Sequence, residues 1–221
     1  MDNPWCELAA QPDYVLPMDV AAVSSLNDRT RRQSDAIQLG VLPEPFIGQR
    51  DAPIIILNLN PGFREGEDGA RNSPALYEAM RKNLLHEAIS YPFYYLNPQF
   101  ERSGGYKWWK PKLRTLVAET SREKLAANLL CAEWFPYASS KGCRIRGELM
   151  PSSAYTFQIV REACARDAVV ILFRSERLWL AAVPVLASYQ RFYKVSNPRQ
   201  PFIDANNCAD GYREALRVLT L

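Results

Sequence analysis

Short apolar runs alternate with helical apolar stripes along this 221-residue chain. Ile54-Ile55-Ile56-Leu57 reads as a strand buried on both faces, the usual state of a central parallel strand. The run ends at Asn58-Leu59-Asn60-Pro61-Gly62-Phe63, where Pro61 cannot continue a ladder and Gly62 permits close backbone approach. Asn128-Leu129-Leu130-Cys131-Ala132 is a second buried strand, entering Glu133-Trp134-Phe135-Pro136-Tyr137. Residues 168–173 form a third, and residues 191–195 a fourth that stops at Ser196-Asn197-Pro198-Arg199. Between them lie helical patterns. One has Ser73 as N-cap and Pro74 at its first position, with Leu76, Met80, Leu84 and Ile89 inward. Others cover about 111–119 (Leu113, Leu116 and Val117 inward), 152 or 153 to 165, 176–182 and 210–219. Strands alternating with helices predict an α/β fold of three layers, α/β/α, around a four-stranded parallel sheet, because parallel neighbours need crossover connections.

Residues 1–50 break this rhythm and hold five of the sixteen prolines: Pro4, Pro12, Pro17, Pro43 and Pro45. Trp5, Tyr14, Leu16 and Phe46 make the segment too apolar for a flexible linker. It is expected to be an arm wrapped on the core, with one short helix over 19–27 capped by Asp19. Residues 51–221 form the α/β domain proper. Asn60 leaves the carboxyl end of a buried strand, and ligands of open α/β sheets bind in the crevice there.

Composition narrows the function classes. No apolar run reaches the roughly 20 residues needed to span a bilayer. The N-terminus lacks the basic-then-apolar pattern of a signal peptide, so a cytoplasmic protein is expected. The five cysteines are widely spaced without a CxxC pair, which argues against a disulfide framework, a zinc site or an iron–sulfur cluster. Cys131 and Cys164 read as small core residues. A net charge of +3 permits nucleic-acid binding without signalling it. The expectation is a monomer that works without metal or cofactor.

Two strands end in the same punctuation, Asn60-Pro61-Gly62 after the first and Asn197-Pro198-Arg199 after the fourth. Asn-Pro is also a common turn initiator. The pair resembles the uracil-DNA glycosylase superfamily, single α/β domains with one motif after the first strand and another after the last. Leu59-Asn60-Pro61-Gly62 is similar to the Gly-Ile-Asn-Pro-Gly form of the mismatch-specific branch, and Asn197-Pro198-Arg199 to that branch's Asn-Pro-Ser. The resemblance spans roughly residues 50–221 and implies a uracil-DNA glycosylase-like fold acting on DNA. On it, Asn60 positions the water that attacks the sugar C1′, and Phe63 stacks on or walls the flipped base. Asn197, Pro198, Arg199 and Gln200, continuing through Pro201-Phe202, grip the strand and wedge the gap. An amide is not a general base near neutral pH, but it orients water toward an oxocarbenium-like centre.

The chain departs from that pattern in several places. Asn58 stands where the family has Gly, which narrows a ligand's approach. Arg199 replaces Ser, and the His of the faster branches is missing. The single histidine, His86, is expected mid-helix in a structural role. The loop with Arg64, Glu65, Glu67 and Asp68 is acidic, either a solvated surface or the source of a general base. Glu133 sits where the family reads the base edge. It is acceptor-only when ionised, and either reads a ligand or pairs with an arginine.

Tyr106-Lys107-Trp108-Trp109-Lys110-Pro111-Lys112-Leu113-Arg114 interleaves aromatic and basic residues. It suits stacking with phosphate contact, or Lys stems over buried Trp rings. Lys141, Arg144 and Arg146 form a second basic cluster expected near the cleft. The resemblance therefore implies hydrolysis of the N-glycosidic bond of a flipped damaged or mismatched base. Its competitors are a catalytically inactive nucleobase-, nucleotide- or partner-binding module on the same fold, and a small-molecule enzyme using Glu133 or the acidic loop.

Overall fold

A computed structural model describes residues 1–30, 35–63, 73–140 and 148–220. Seven α-helices and one five-stranded sheet are found among them. The strands are β1 Phe46–Gly48, β2 Ile54–Asn58, β3 Leu129–Glu133, β4 Val169–Leu172 and β5 Phe192–Lys194. Their spatial order is β1-β3-β2-β4-β5, with β1 antiparallel to β3 and the other four parallel. The helices are α1 Val20–Asp28, α2 Pro74–Leu84, α3 Gly104–Glu119, α4 Arg122–Asn128, α5 Ser153–Ala165, α6 Glu176–Ala182 and α7 Ala209–Thr220. α2 packs against β1, α5 against β3, and α7 against β4 and β5.

The four expected strands form at the expected places, and β2, β3 and β4 are buried along their whole length. Such strands need no alternation, which is why each reads as a continuous apolar run. From β2 the chain crosses to β3 on one side and then returns past β2 to β4 on the other. The order therefore reverses at β2, and the crevice outside the carboxyl ends of these strands is the topological switch point.

The sheet has five strands rather than four. The extra one, Phe46-Ile47-Gly48, belongs to the segment read as an arm, and three residues are too few to show a periodicity. Gly48 is required there: its φ is +117°, and a Cβ would lie 2.0 Å from the Leu129 carbonyl oxygen. Trp5, Tyr14, Leu16 and Phe46 join the same core cluster as the strands.

Three local expectations change. α3 begins at Gly104, seven residues before the expected proline start, and carries Pro111 inside it. Its cap is Ser103, whose Oγ accepts from the Tyr106 amide. His86 is not mid-helix; α2 ends at Leu84 and His86 turns the chain with φ +57°, so Ile89 lies beyond the helix. Asp19 sits at the N-cap of α1 without capping it. Its buried carboxylate instead accepts from Tyr137 Oη at 2.6 Å and the Ser152 amide at 3.0 Å. Ser73 caps α2 as expected, accepting from the Leu76 amide.

Candidate functional site

A cavity of about 600 Å³ opens at the carboxyl ends of β2, β3 and β4, within the range that holds a drug-sized ligand. Its floor is the end of the β2–β3 ladder, where Asn58 and Glu133 are register partners. Both side chains are buried, and Asn58 Nδ2 donates to Glu133 Oε1 at 3.0 Å. Cys131 Sγ lies 3.7 Å from the same oxygen. Two atoms remain buried without a hydrogen-bond partner, Asn58 Oδ1 and Glu133 Oε2. Unsatisfied buried polar atoms are rare because each forfeits its hydration. Here two such atoms belong to adjacent residues that line one cavity.

Glu133 titrates abnormally. Burial pushes its carboxyl up to about 8; the neighbouring Glu44 acts in the same direction, and the Asn58 bond opposes. The protonated form therefore predominates at neutral pH. Oε1 already accepts from Asn58, which assigns the proton to Oε2. The pair thus holds one O–H donor and one carbonyl acceptor that are buried without partners.

The loop leaving β2 is pinned to the loop leaving β3. Phe63 N donates to Ser139 O and Ser139 N to Pro61 O, both at 3.2 Å, and Gly62 forms a parallel bridge with Ser139. Asn60 is half-buried on the cavity wall, and its Nδ2 donates to Pro61 O at 2.8 Å and to Ser139 Oγ at 3.0 Å. Those two bonds set the amide's orientation and leave Oδ1 as the atom able to address a ligand or water. Asn58, Pro61, Gly62 and Phe63 line the cavity with it. The backbone carbonyl of Asn58 accepts from Trp179 Nε1 at 2.7 Å.

The opposite wall comes from α3. Gly104 and Gly105 open the helix toward the cavity, followed by Lys107, Trp108, Trp109 and Lys112. Gly105 is required by the close approach of Tyr95, whose ring would meet a Cβ at 2.1 Å. Tyr95 in turn donates from its hydroxyl to Glu44 Oε1 at 2.9 Å. Trp109 is buried, as core packing of one Trp predicted, whereas Trp108 is half-buried on the cavity. Lys112 Nζ stands 3.8 Å from the Trp108 ring centroid and donates to Trp108 O at 2.8 Å. Burial, followed by repulsion from Arg174, lowers its ammonium to about 8.

Asn197, Pro198, Arg199 and Gln200 are not among the cavity-lining residues. Asn197 is exposed and accepts from the Arg199 amide at 3.1 Å, stabilising its own turn. The loop touches the site through Arg174, a cavity residue whose Nε donates to Pro198 O at 3.2 Å. The acidic loop and Lys141, Arg144 and Arg146 lie outside the described residues. Glu133 bonds to Asn58 rather than to an arginine.

Comparison with known families finds no matching family model, and comparisons with curated proteins and with solved structures find no significant match.

Sequence reasoning passed over Glu44, Tyr95, Ser139 and Arg174. Only Arg174 carried a signal, a cation directly after a buried strand and hence on the ligand-binding rim. No described helix is long and apolar enough to cross a membrane.

Proposed function

We propose that the cavity receives a nucleobase edge-on against Asn58 and Glu133, and that the protein hydrolyses the N-glycosidic bond of a base flipped out of DNA. The observation that carries this reading is the pair of buried, unpartnered atoms at the end of the β2–β3 ladder. A Watson–Crick edge presents adjacent donors and acceptors, and a flipped base is read by bonds to that edge together with an apolar or aromatic slot. Phe63 and Trp108 supply the slot walls. Asn60, with its amide set by Pro61 and Ser139, orients water toward C1′ as the base departs. Protonated Glu133 donates to the departing base, whose negative charge grows in the transition state. The two Asn-Pro motifs and the four parallel strands support assignment to a three-layer, uracil-DNA glycosylase-like fold.

The test is a glycosylase assay on single- and double-stranded DNA carrying uracil, thymine mismatches or deaminated purines. Alkali-labile sites at one lesion class, lost in Asn60→Ala, are expected. No strand scission with any lesion refutes hydrolysis, and activity surviving Asn60→Ala rejects the role given to Asn60.

A second reading is a base-binding module without catalysis. It is favoured by the position of Asn197, which is exposed and outside the cavity lining. Base binding by titration calorimetry without scission would select it.

A further inference from the structure

Lys112 and Arg174 line the same cavity as Asn58 and Glu133. Lys112 retains only 9% of its surface exposed, yet its contacts are a backbone carbonyl and an indole face. No ion pair involves Lys112 or Arg174 among the described residues. The acids on the facing wall are engaged elsewhere, Glu133 by Asn58 and Glu44 by Tyr95. Buried charges are normally paired, because desolvation is recovered only through an opposite charge or hydrogen bonds. Here two cations face one cavity and repel each other, and that repulsion contributes to lowering Lys112. Such a pair is complementary to an anion.

We propose that Lys112 and Arg174 bind a phosphate of the nucleotide whose base reaches Asn58 and Glu133. This deepens the nucleobase reading and rests on it for the base half of the ligand. The rest of the wall fits the same group. α3 presents its first turn, Gly104 and Gly105, together with Lys107 to the cavity, and the amino end of a sixteen-residue helix favours negative charge. Arg174 commits Nε to Pro198 O, which leaves its terminal N–H groups for a fork-like contact with two phosphate oxygens. The Asn-Pro turn after β5 thereby acts as an anchor for a phosphate-binding arginine. Phosphate selects Lys112 in its charged form, so binding raises the pKa that burial lowers.

Titration calorimetry with the full chain tests this, using the four deoxynucleosides, their 5′- and 3′-monophosphates, inorganic phosphate and a short single-stranded oligonucleotide. The readout is the ratio of nucleotide to nucleoside affinity in each protein. In the wild type, at least one monophosphate or the oligonucleotide is expected to bind about tenfold or more tightly than its nucleoside, the scale of charged hydrogen bonds. Lys112→Met, which retains an unbranched stem over Trp108, and Arg174→Gln should each bring the ratio toward one while thermal melts show a folded protein. A gain confined to the oligonucleotide assigns the phosphate to a diester in a chain; a gain with monophosphates assigns it to a free nucleotide.

Equal wild-type affinities for nucleoside and nucleotide, or a ratio preserved in both variants, overturn the proposal. Lys112-dependent binding of inorganic phosphate without binding of any nucleoside would support the anion site and refute the base reading. Failure of every probe, inorganic phosphate included, refutes the anion site.

Discussion

Asn58 and Glu133, 75 residues apart, meet as register partners, and the amide of one donates to the carboxyl of the other at 3.0 Å. The bond occupies Glu133 Oε1 and leaves Oε2 buried without a partner beside the cavity. Glu133→Gln should mimic the protonated state, with Oε1 still accepting and Nε2 donating where the O–H did. Wild-type affinity for a base should fall as pH rises through about 8, and the variant's should stay flat. Calorimetry at pH 6.5 and 9 checks this; a wild-type affinity unchanged between them would remove the acid from the binding edge.

The same carboxyl makes stability pH-dependent. Its pKa rises from 4.5 to about 8 on folding, so the folded chain holds a proton that the unfolded chain has lost between those values. Stability should therefore decline as pH climbs through that window and level off above it. The effect is about 5 kcal/mol at most. Urea titrations should show Glu133→Gln gaining on the wild type between pH 6 and 9.

His86 acts with the opposite sign. Its ring stacks on Phe46 at 4.7 Å and meets Tyr155 Oη at 2.8 Å. Burial, then Arg50, lowers its pKa from 6.5 to about 4. The unfolded chain binds the extra proton between those values, so stability should be lost as pH falls through them. Asn tolerates the left-handed backbone at this position without titrating. His86→Asn should flatten the acid limb of a urea-midpoint profile, whatever its cost at pH 7.

Tyr137 ties the N-terminal segment to the core. Its hydroxyl accepts from the Leu16 amide at 3.1 Å and donates to buried Asp19 at 2.6 Å. Tyr137→Phe orphans one donor and half of a carboxylate, and should cost about 2–4 kcal/mol. Equilibrium urea unfolding measures it; a cost below about 0.5 kcal/mol would mean that the segment is held without the Tyr137 hydroxyl.

Gly105→Ala places a methyl 2.1 Å from the Tyr95 ring. Relief requires Tyr95 to leave Glu44 or α3 to shift at the cavity wall. Overpacking of this kind costs about 1–3 kcal/mol, and ligand affinity should fall with stability. Affinity unchanged in a folded Gly105→Ala protein would separate the Tyr95–Glu44 pair from the site.

Much of the frame was legible because its signals are local. Fully buried strands must be apolar throughout, so β2, β3 and β4 stand out in sequence, and Ser73-Pro74 announces a helix start through a cap and a fixed φ. The misreadings arose where local signals compete. Pro111 resembles a helix start yet lies within α3, because Ser103 supplies the actual cap. Phe46-Ile47-Gly48 is too short for periodicity, and its strand state comes from pairing with β3.

The sequence by itself determined that Asn60 leaves a buried strand beside a proline and a glycine, and that Glu133 ends another. Strand ends follow from composition, since a buried ladder cannot accommodate Pro61 or extend into polar loops. Tertiary structure decided the chemistry between them. Register sets Asn58 against Glu133, desolvation raises that carboxyl's pKa, and the packing of α3 against α4 and α7 sets Lys112 on the same cavity as Arg174. Those properties depend on distance, burial and orientation between residues far apart in the chain, which local residue patterns do not encode.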